Sequence, residues 1–295
     1  MHIIDLTFVE RGIHEELVAY VADQQNYYEQ EGVHVALRDG RAWDRERLRR
    51  TATIGLGRAV LLRLTDGIPW TVLCVNTDRP LFWLLARDAY TSAGQLKGRR
   101  IGIHPPQTAP GWFCRIVLRT LGLDPDRDVQ PVVMAPGDYS GHLRRLAEGS
   151  LDAAFVGSTL APEVTAQENG LRLLAFVGDH FRIPTVGVAV DPTHLAPDDP
   201  AVLALVRANR RALRTIRDEP DLAVRYVNAL IPSLSETQAR QHYERYIAPY
   251  FTIDGRHDPS VAAQAVSSMA KELGMSTVPD AADIYRTEPA EGPAA

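Results

Sequence analysis

The chain is almost without lysine and cysteine and has no long apolar run, and each shortage narrows what it can do. Lys97 and Lys271 are the only lysines among 32 basic residues. One falls in a turn and the other in a late amphipathic segment, so Schiff-base chemistry and an internally bound pyridoxal cofactor have no anchor. Cys74 and Cys114 sit inside apolar runs without CxxC or Cys/His spacing, which reads as two buried thiols rather than a disulfide or zinc framework. There is no HExxH, HxH or Asp/His cluster, and Leu56-Gly57-Arg58 is not a phosphate loop, so no metal and no cofactor are expected. No stretch approaches the roughly 20 apolar residues of a membrane span. The net charge of −5, with basic residues interspersed, argues against nucleic acid and against an anionic membrane.

What is present is a repeated strand–loop–helix unit, in a chain of 295 residues that is long enough for two lobes. Residues 94–128 show the unit best. Ile101-Gly102-Ile103 is a short strand, and the next loop holds Pro105, Pro106 and Pro110, which continue neither ladder nor helix. Phe113, Ile116, Val117 and Leu121 then recur at helical spacing until Gly122 stops them. The loop from His104 to Thr108 therefore lies at the carboxyl end of a strand and the amino end of a helix. Open α/β sheets bind small ligands at such places, because free N–H groups and the helix dipole point there.

The same reading gives strands over residues 3–9, 33–37, 52–57, 70–75 and 81–87, then 129–134, 151–156, 171–177 and 185–190. A helix is expected over 14–31, and from Pro200 onward only helices. Arg47-Leu48-Arg49-Arg50 before a strand and glycine loop is echoed by His142-Leu143-Arg144-Arg145, which suggests two lobes of related build. The segments 81–87 and 185–190 bracket the second series and are read as crossings. Lobe one is then residues 1–90 plus 188–286, lobe two 91–187, and 287–295 a disordered tail. The expected fold is α/β and two-lobed, each lobe a mixed sheet flanked by helices, with the C-terminal helical segment packed on lobe one. Met1 leads directly into a strand, which places the chain as written in the cytoplasm. A removed export signal or a misassigned start would place it in the periplasm or at the cell surface.

Four stretches in order resemble a known family. They are Tyr27-Tyr28-Glu29-Gln30-Glu31-Gly32-Val33, Asp66-Gly67-Ile68-Pro69, Leu96-Lys97-Gly98-Arg99-Arg100-Ile101-Gly102 and Leu146-Ala147-Glu148-Gly149-Ser150-Leu151-Asp152-Ala153. Together they resemble type II periplasmic-binding-protein folds, in the branch of the sulfonate-, taurine- and nitrate-binding proteins of ABC importers and the thiamine-pyrimidine synthases. The resemblance spans residues 6–285 and implies a small-molecule ligand held between lobes, with an ABC permease as partner. The chain departs from the synthases, with Ala59 where they carry a histidine and no cysteine-rich iron motif. It departs from a desulfinase relative, with Glu10 and Arg11 in place of a cysteine. The stretch Thr108-Ala109-Pro110-Gly111-Trp112-Phe113-Cys114-Arg115 resembles cytosolic decarboxylases of dihydroxylated aromatic acids, which keeps a lyase reading open.

Residues at strand ends make the candidate cleft. Gly55 and Gly57 would admit a ligand close to the backbone, and Arg58 would fork onto a carboxylate or sulfonate. Arg11, Arg79, Thr108, Tyr139, Ser158 and Thr159 are further polar contacts, with Thr108 equally a helix cap and Arg79 equally a partner of Asp78. Trp43 and Trp112 could wall a planar ligand or simply pack. His14, His104 and His180, with Asp179, are the acid/base candidates should the protein be an enzyme; each is equally readable as a structural residue. The leading expectation is a binding protein for a small organic ligand, anionic or aromatic. The alternative is a cytosolic enzyme on the same fold.

Overall fold

The computed structural model describes residues 2–135 and 137–287. Its strands are β1 (His2–Phe8), β2 (Val33–Asp39), β3 (Ala52–Gly55), β4 (Thr71–Val75), β5 (Phe82–Arg87), β6 (Arg100–Ile103), β7 (Gln130–Val133), β8 (Ala153–Gly157), β9 (Leu171–Phe176) and β10 (Val186–Val190). They form two five-stranded sheets, in the orders β2-β1-β3-β10-β4 and β7-β6-β8-β5-β9. The two orders share one plan. β2, β1 and β3 are parallel, as are β7, β6 and β8, and the fourth strand of each sheet runs antiparallel to its neighbours. β3 and β8, the two ends of the sequence echo, occupy the same third place and both finish on glycine.

The antiparallel strands are where the chain changes sheet. β10 follows every strand of the second sheet, and β5 precedes its remaining four, so the connections run through residues 76–81 and 177–185. The sequence reading set β5 in the first lobe, before a boundary at residue 90. Its backbone pairs instead with β8 and β9. Phe82, Trp83, Leu84, Leu85 and Ala86 are all buried, as a strand with neighbours and cover on both sides requires, a composition that suits the inner place of either sheet.

Helices cover both sheets, and their caps follow local chemistry. Ile13–Gln24 and Arg58–Asp66 start at Gly12 and Gly57 with no side-chain cap, whereas Thr108 caps Ala109–Thr120 and Asp138 caps Tyr139–Ala147. The first helix, expected to run to residue 31, breaks at Asn26, whose φ of 56° is left-handed, a conformation asparagine tolerates. The short helix Tyr27–Gln30 restarts from there. The break turns Tyr27 and Tyr28 onto Thr215 (2.7 Å) and Asn209 (2.9 Å) of the helix Pro200–Asp218.

The late helices do more than pack on the first lobe. Pro200–Asp218 does lie against Ile13–Gln24 and the first sheet. Tyr246, however, stacks edge-on to Trp83 at 5.1 Å, and Glu272, at the end of Pro259–Glu272, ties to Arg115 and Arg119 in the second lobe. The same last helix also packs on Arg58–Asp66 of the first. Thr287, expected in a disordered tail, is buried and bonds His257 Nδ1 at 2.7 Å. The rest of that segment, 288–295, lies outside the described residues.

Candidate functional site

Parallel strands that point their carboxyl ends the same way bring their following loops together. In this chain those loops, from both sheets, meet in a cavity of about 650 Å³. After β1 come Val9, Glu10, Arg11, His14 and Glu15; from the last residue of β2 onward, Asp39, Arg41, Ala42 and Trp43; after β3, Arg58. The second sheet contributes His104 and Thr108 after β6, Gly137 and Tyr139 after β7, Thr159 after β8, and Phe82 at the start of β5.

The first-lobe wall carries the charge. Arg11 pairs with Glu16 and lies 3.8 Å from Asp39, which Arg41 holds at 2.7 Å. The hydrogen bonds from Arg41 draw the Asp39 carboxyl down to about 2. Arg58 opens the helix Arg58–Asp66, where uncapped N–H groups add to its charge. No carboxylate of the described residues forms an ion pair with Arg58, and burial lowers its pKa. Glu10 also faces the cavity without a bonded partner. Burial first, and the charge of Glu15 second, push its carboxyl up to about 8, against the pull of Arg58.

The second-lobe wall is neutral and aromatic. Phe82, His104 and Tyr139 meet edge to face, with centroids 5.3 Å (Phe82–His104), 5.7 Å (His104–Tyr139) and 6.3 Å (Phe82–Tyr139) apart. Burial holds the His104 imidazole down to about 3, with a further push from His142 behind it, so the ring is uncharged at neutral pH. Its Nε2 is buried without a protein partner. Trp43 closes the opposite side, with Arg47 stacked 3.6 Å from its ring.

His14 lies between the lobes. Its Nδ1 is 2.7 Å from Ser158 Oγ of the second lobe, and the Ile13 N–H donates to the same oxygen at 3.0 Å. Its Nε2 lies 2.8 Å from Glu15 Oε1, an ion-pair contact outside hydrogen-bond geometry. A Cβ on Gly12 would fall 2.5 Å from Ser158 Oγ, so only glycine lets the two lobes come this close. All three side chains of the Ser158–His14–Glu15 series are buried.

Of the expected site residues, Arg11, His14, Trp43, Arg58, His104, Thr108, Tyr139 and Thr159 line the cavity, and Ser158 stands behind it. Thr108 spends its hydroxyl on the cap, donating to Pro105 O (2.7 Å) and accepting from Gly111 N (3.3 Å). Gly55 is buried, and a Cβ there would meet Val9 Cγ2 at 2.3 Å, so it serves strand packing rather than ligand approach. A Cβ on Gly57 would meet Phe113 at 3.0 Å, a contact between lobes. Trp112 does not line the cavity. Arg79 lies in the crossing, bonded to Asp179 (2.7 Å) and to Gly178 O (3.1 Å), while Asp78 pairs with Arg182. Asp179 and His180 are exposed after β9 and do not line the cavity.

Of the acid/base residues expected of an enzyme, His14 and His104 line the cavity and Asp179 and His180 do not. Cys74 and Cys114 are buried thiols pushed up to about 12 by desolvation, and neither lines the cavity. The cavity also takes in Glu15, Asp39, Arg41 and Phe82, which the sequence reading did not single out. Asp39 and Arg41 stand at the end of a parallel strand and obey the same rule as the others. Phe82 escapes it because β5 is antiparallel, so its beginning, not its end, faces the cleft.

Comparison with known proteins agrees with this geometry. The family model "NMT1/THI5 like" matches residues 15–223. Among curated proteins none matches the sequence significantly. Among solved structures, the periplasmic aliphatic sulphonate binding protein SsuA from Escherichia coli is similar with a TM-score of 0.76 and 13% identity, over 100% of this chain and 96% of that one. A Candida albicans gene product with the generic periplasmic binding protein fold gives 0.75 and 14%, over 97% of each chain. The desulfurization enzyme DSZB gives 0.68 and 18%, over 92% of each. The fold is thus the two-lobed periplasmic-binding-protein fold.

Proposed function

The chain belongs to the NMT1/THI5-like family, and from that premise we propose that it is a substrate-binding protein of ABC-importer type, which closes its two lobes on a small organic anion. The observation that carries this is Arg58. A cation without a carboxylate partner, at the uncapped amino end of a helix and over a cavity of about 650 Å³, is a site for an oxyanion. The cavity falls within the range of about 300–1,000 Å³ usual for small-molecule sites, and its aromatic floor suits an apolar body. Similarity in fold to sulfonate-binding proteins supports a sulfonate or carboxylate head group. In this reading the residues around β1–β4 and β10 form one lobe and those around β5–β9 the other, hinged at 76–81 and 177–185. Delivery to an ABC permease, and work in the periplasm or at the cell surface, follow if the protein is exported. Among the described residues no helix is long and apolar enough to cross a membrane.

Thermal-shift and calorimetric screening with carboxylates and sulfonates should find a stabilising ligand, and Arg58→Gln should abolish the shift. Turnover of that ligand by the purified protein would overturn the binding reading in favour of an enzyme.

A further inference from the structure

Most charged groups in the cleft have a close partner. Arg11 and Arg41 share Asp39 and Glu16, and His14 Nε2 lies beside Glu15 Oε1. Arg58 and Glu10 both line the cavity, and neither has an ion pair or hydrogen bond among the described residues, with each other included. Both are partly buried, and an unbonded carboxyl beside an unbonded guanidinium leaves polar capacity that a ligand can take up. A ligand that carries both signs would do so.

We propose that the ligand is zwitterionic: its oxyanion sits on Arg58, its protonated amino group on Glu10, and its body lies over Phe82 and Tyr139. The inference rests on the cleft-binding reading and narrows it to a chemical class. Glu10 leads directly out of β1, so its position is set by the sheet, while Arg58 is set by the helix that follows β3. The two therefore present a guanidinium and an unbonded carboxyl from adjacent parallel strands, with the neutral wall of the second lobe facing both. A simple acid would satisfy Arg58 and leave Glu10 unmatched. A simple amine would do the reverse.

The empty cleft reports the same preference. With Glu15 beside it and walls around it, the Glu10 carboxyl holds a proton at neutral pH. An ammonium group replaces that proton, because it offers a charge the ionised carboxylate can pair with. Binding of an amino-bearing acid should then release a fraction of a proton per site at pH 7. The other ionisable groups facing Glu10 are Arg11, His14 and Glu15 on its own stretch, Asp39 and Arg41 at the end of β2, Arg58 after β3, and His104 and Tyr139 from the second lobe. Asp39 and His104 keep one form across neutral pH, with values near 2 and 3. The Tyr139 hydroxyl is pushed upward by burial and stays protonated.

The test uses the full chain and matched trios: an aromatic or aliphatic amino acid or aminosulfonate, its N-acetyl form, and its amide or decarboxylated form. Titration calorimetry at pH 7 in two buffers of different ionisation enthalpy gives affinity and proton release together. We expect at least one zwitterion to bind ten-fold or more tightly than both of its truncated partners and to release protons. In Glu10→Gln, checked for folding by its thermal transition, the preference over the N-acetyl form should fall towards one and the proton release should vanish. N-acetyl acids binding as tightly as their zwitterions, or no change of preference in Glu10→Gln, would overturn the inference and leave the anion-binding reading standing. Failure of every acid, with or without an amine, would overturn both.

Discussion

The two walls of the cleft are built from the same strand plan but differ in chemistry. The first lobe lines the cavity with every charged group, beside Val9, Ala42 and Trp43; the second lines it with Phe82, His104, Thr108, Gly137, Tyr139 and Thr159, none of them charged at neutral pH. The difference teaches how such a protein can divide one task. Charge acts at range and captures a ligand in an open cleft, whereas aromatic contact acts only on closure. On this view affinity begins on the first lobe and is completed by the second.

The comparison breaks most directly at Arg58. Arg58→Ala should cost roughly 2–5 kcal/mol of affinity for an anionic ligand, read by titration calorimetry; a loss of less than two-fold would move the capture site elsewhere. The neutral wall can be attacked by acid. His104 and His142 titrate near 3 and 4 in the folded protein because they are buried, against an ordinary value near 6.5. Between those limits the unfolded chain binds more protons, so their contribution to stability is intact above about pH 6.5 and falls as the pH drops. Each should cost about 2 kcal/mol by pH 5. Urea unfolding at pH 7 and pH 5 measures this loss, and His142→Gln should shrink the difference between them. An unchanged pH slope in that variant would show that the ring is not charged on unfolding.

Smaller effects separate packing from binding. Gly55→Ala should lower stability by about 1–3 kcal/mol, because its Cβ would press on Val9, and leave affinity nearly unchanged in the fraction that folds. A variant that is stable but binds weakly would restore Gly55 to the site. Ser158→Ala takes from His14 Nδ1 its partner across the lobes and leaves the Ile13 N–H only its longer bond to Ser158 O at 3.4 Å. It should weaken ligand binding by about 1 kcal/mol and shift the scattering radius of the ligand-bound protein towards an open form.

Most of the architecture could be read from the chain because each unit carries its own punctuation. Gly32, Gly122, Gly149 and Gly170 adopt the left-handed backbone that ends a helix, and each marks a boundary seen in the structure. The crossing was misread for a tertiary reason: nothing within residues 82–87 says which sheet will bury them. The site was legible where a parallel strand ends, as at Arg58, His104 and Tyr139. It was obscured at Phe82, where strand direction is reversed, and at Asp179, which is spent on Arg79 in the crossing. Burial decided the roles of the histidines, and burial depends on neighbours that the linear chain does not reveal.

The helix Pro259–Glu272 has a mechanical consequence. It rests on Arg58–Asp66 in one lobe while Glu272 grips Arg115 and Arg119 in the other, at 2.8 and 2.9 Å. The lobes are therefore held, besides their two covalent crossings, by a brace made of ions. Such a brace loosens in concentrated salt and tightens in dilute buffer. Ionic strength should thus set how far the jaws swing, even for a ligand whose own contacts are indifferent to salt.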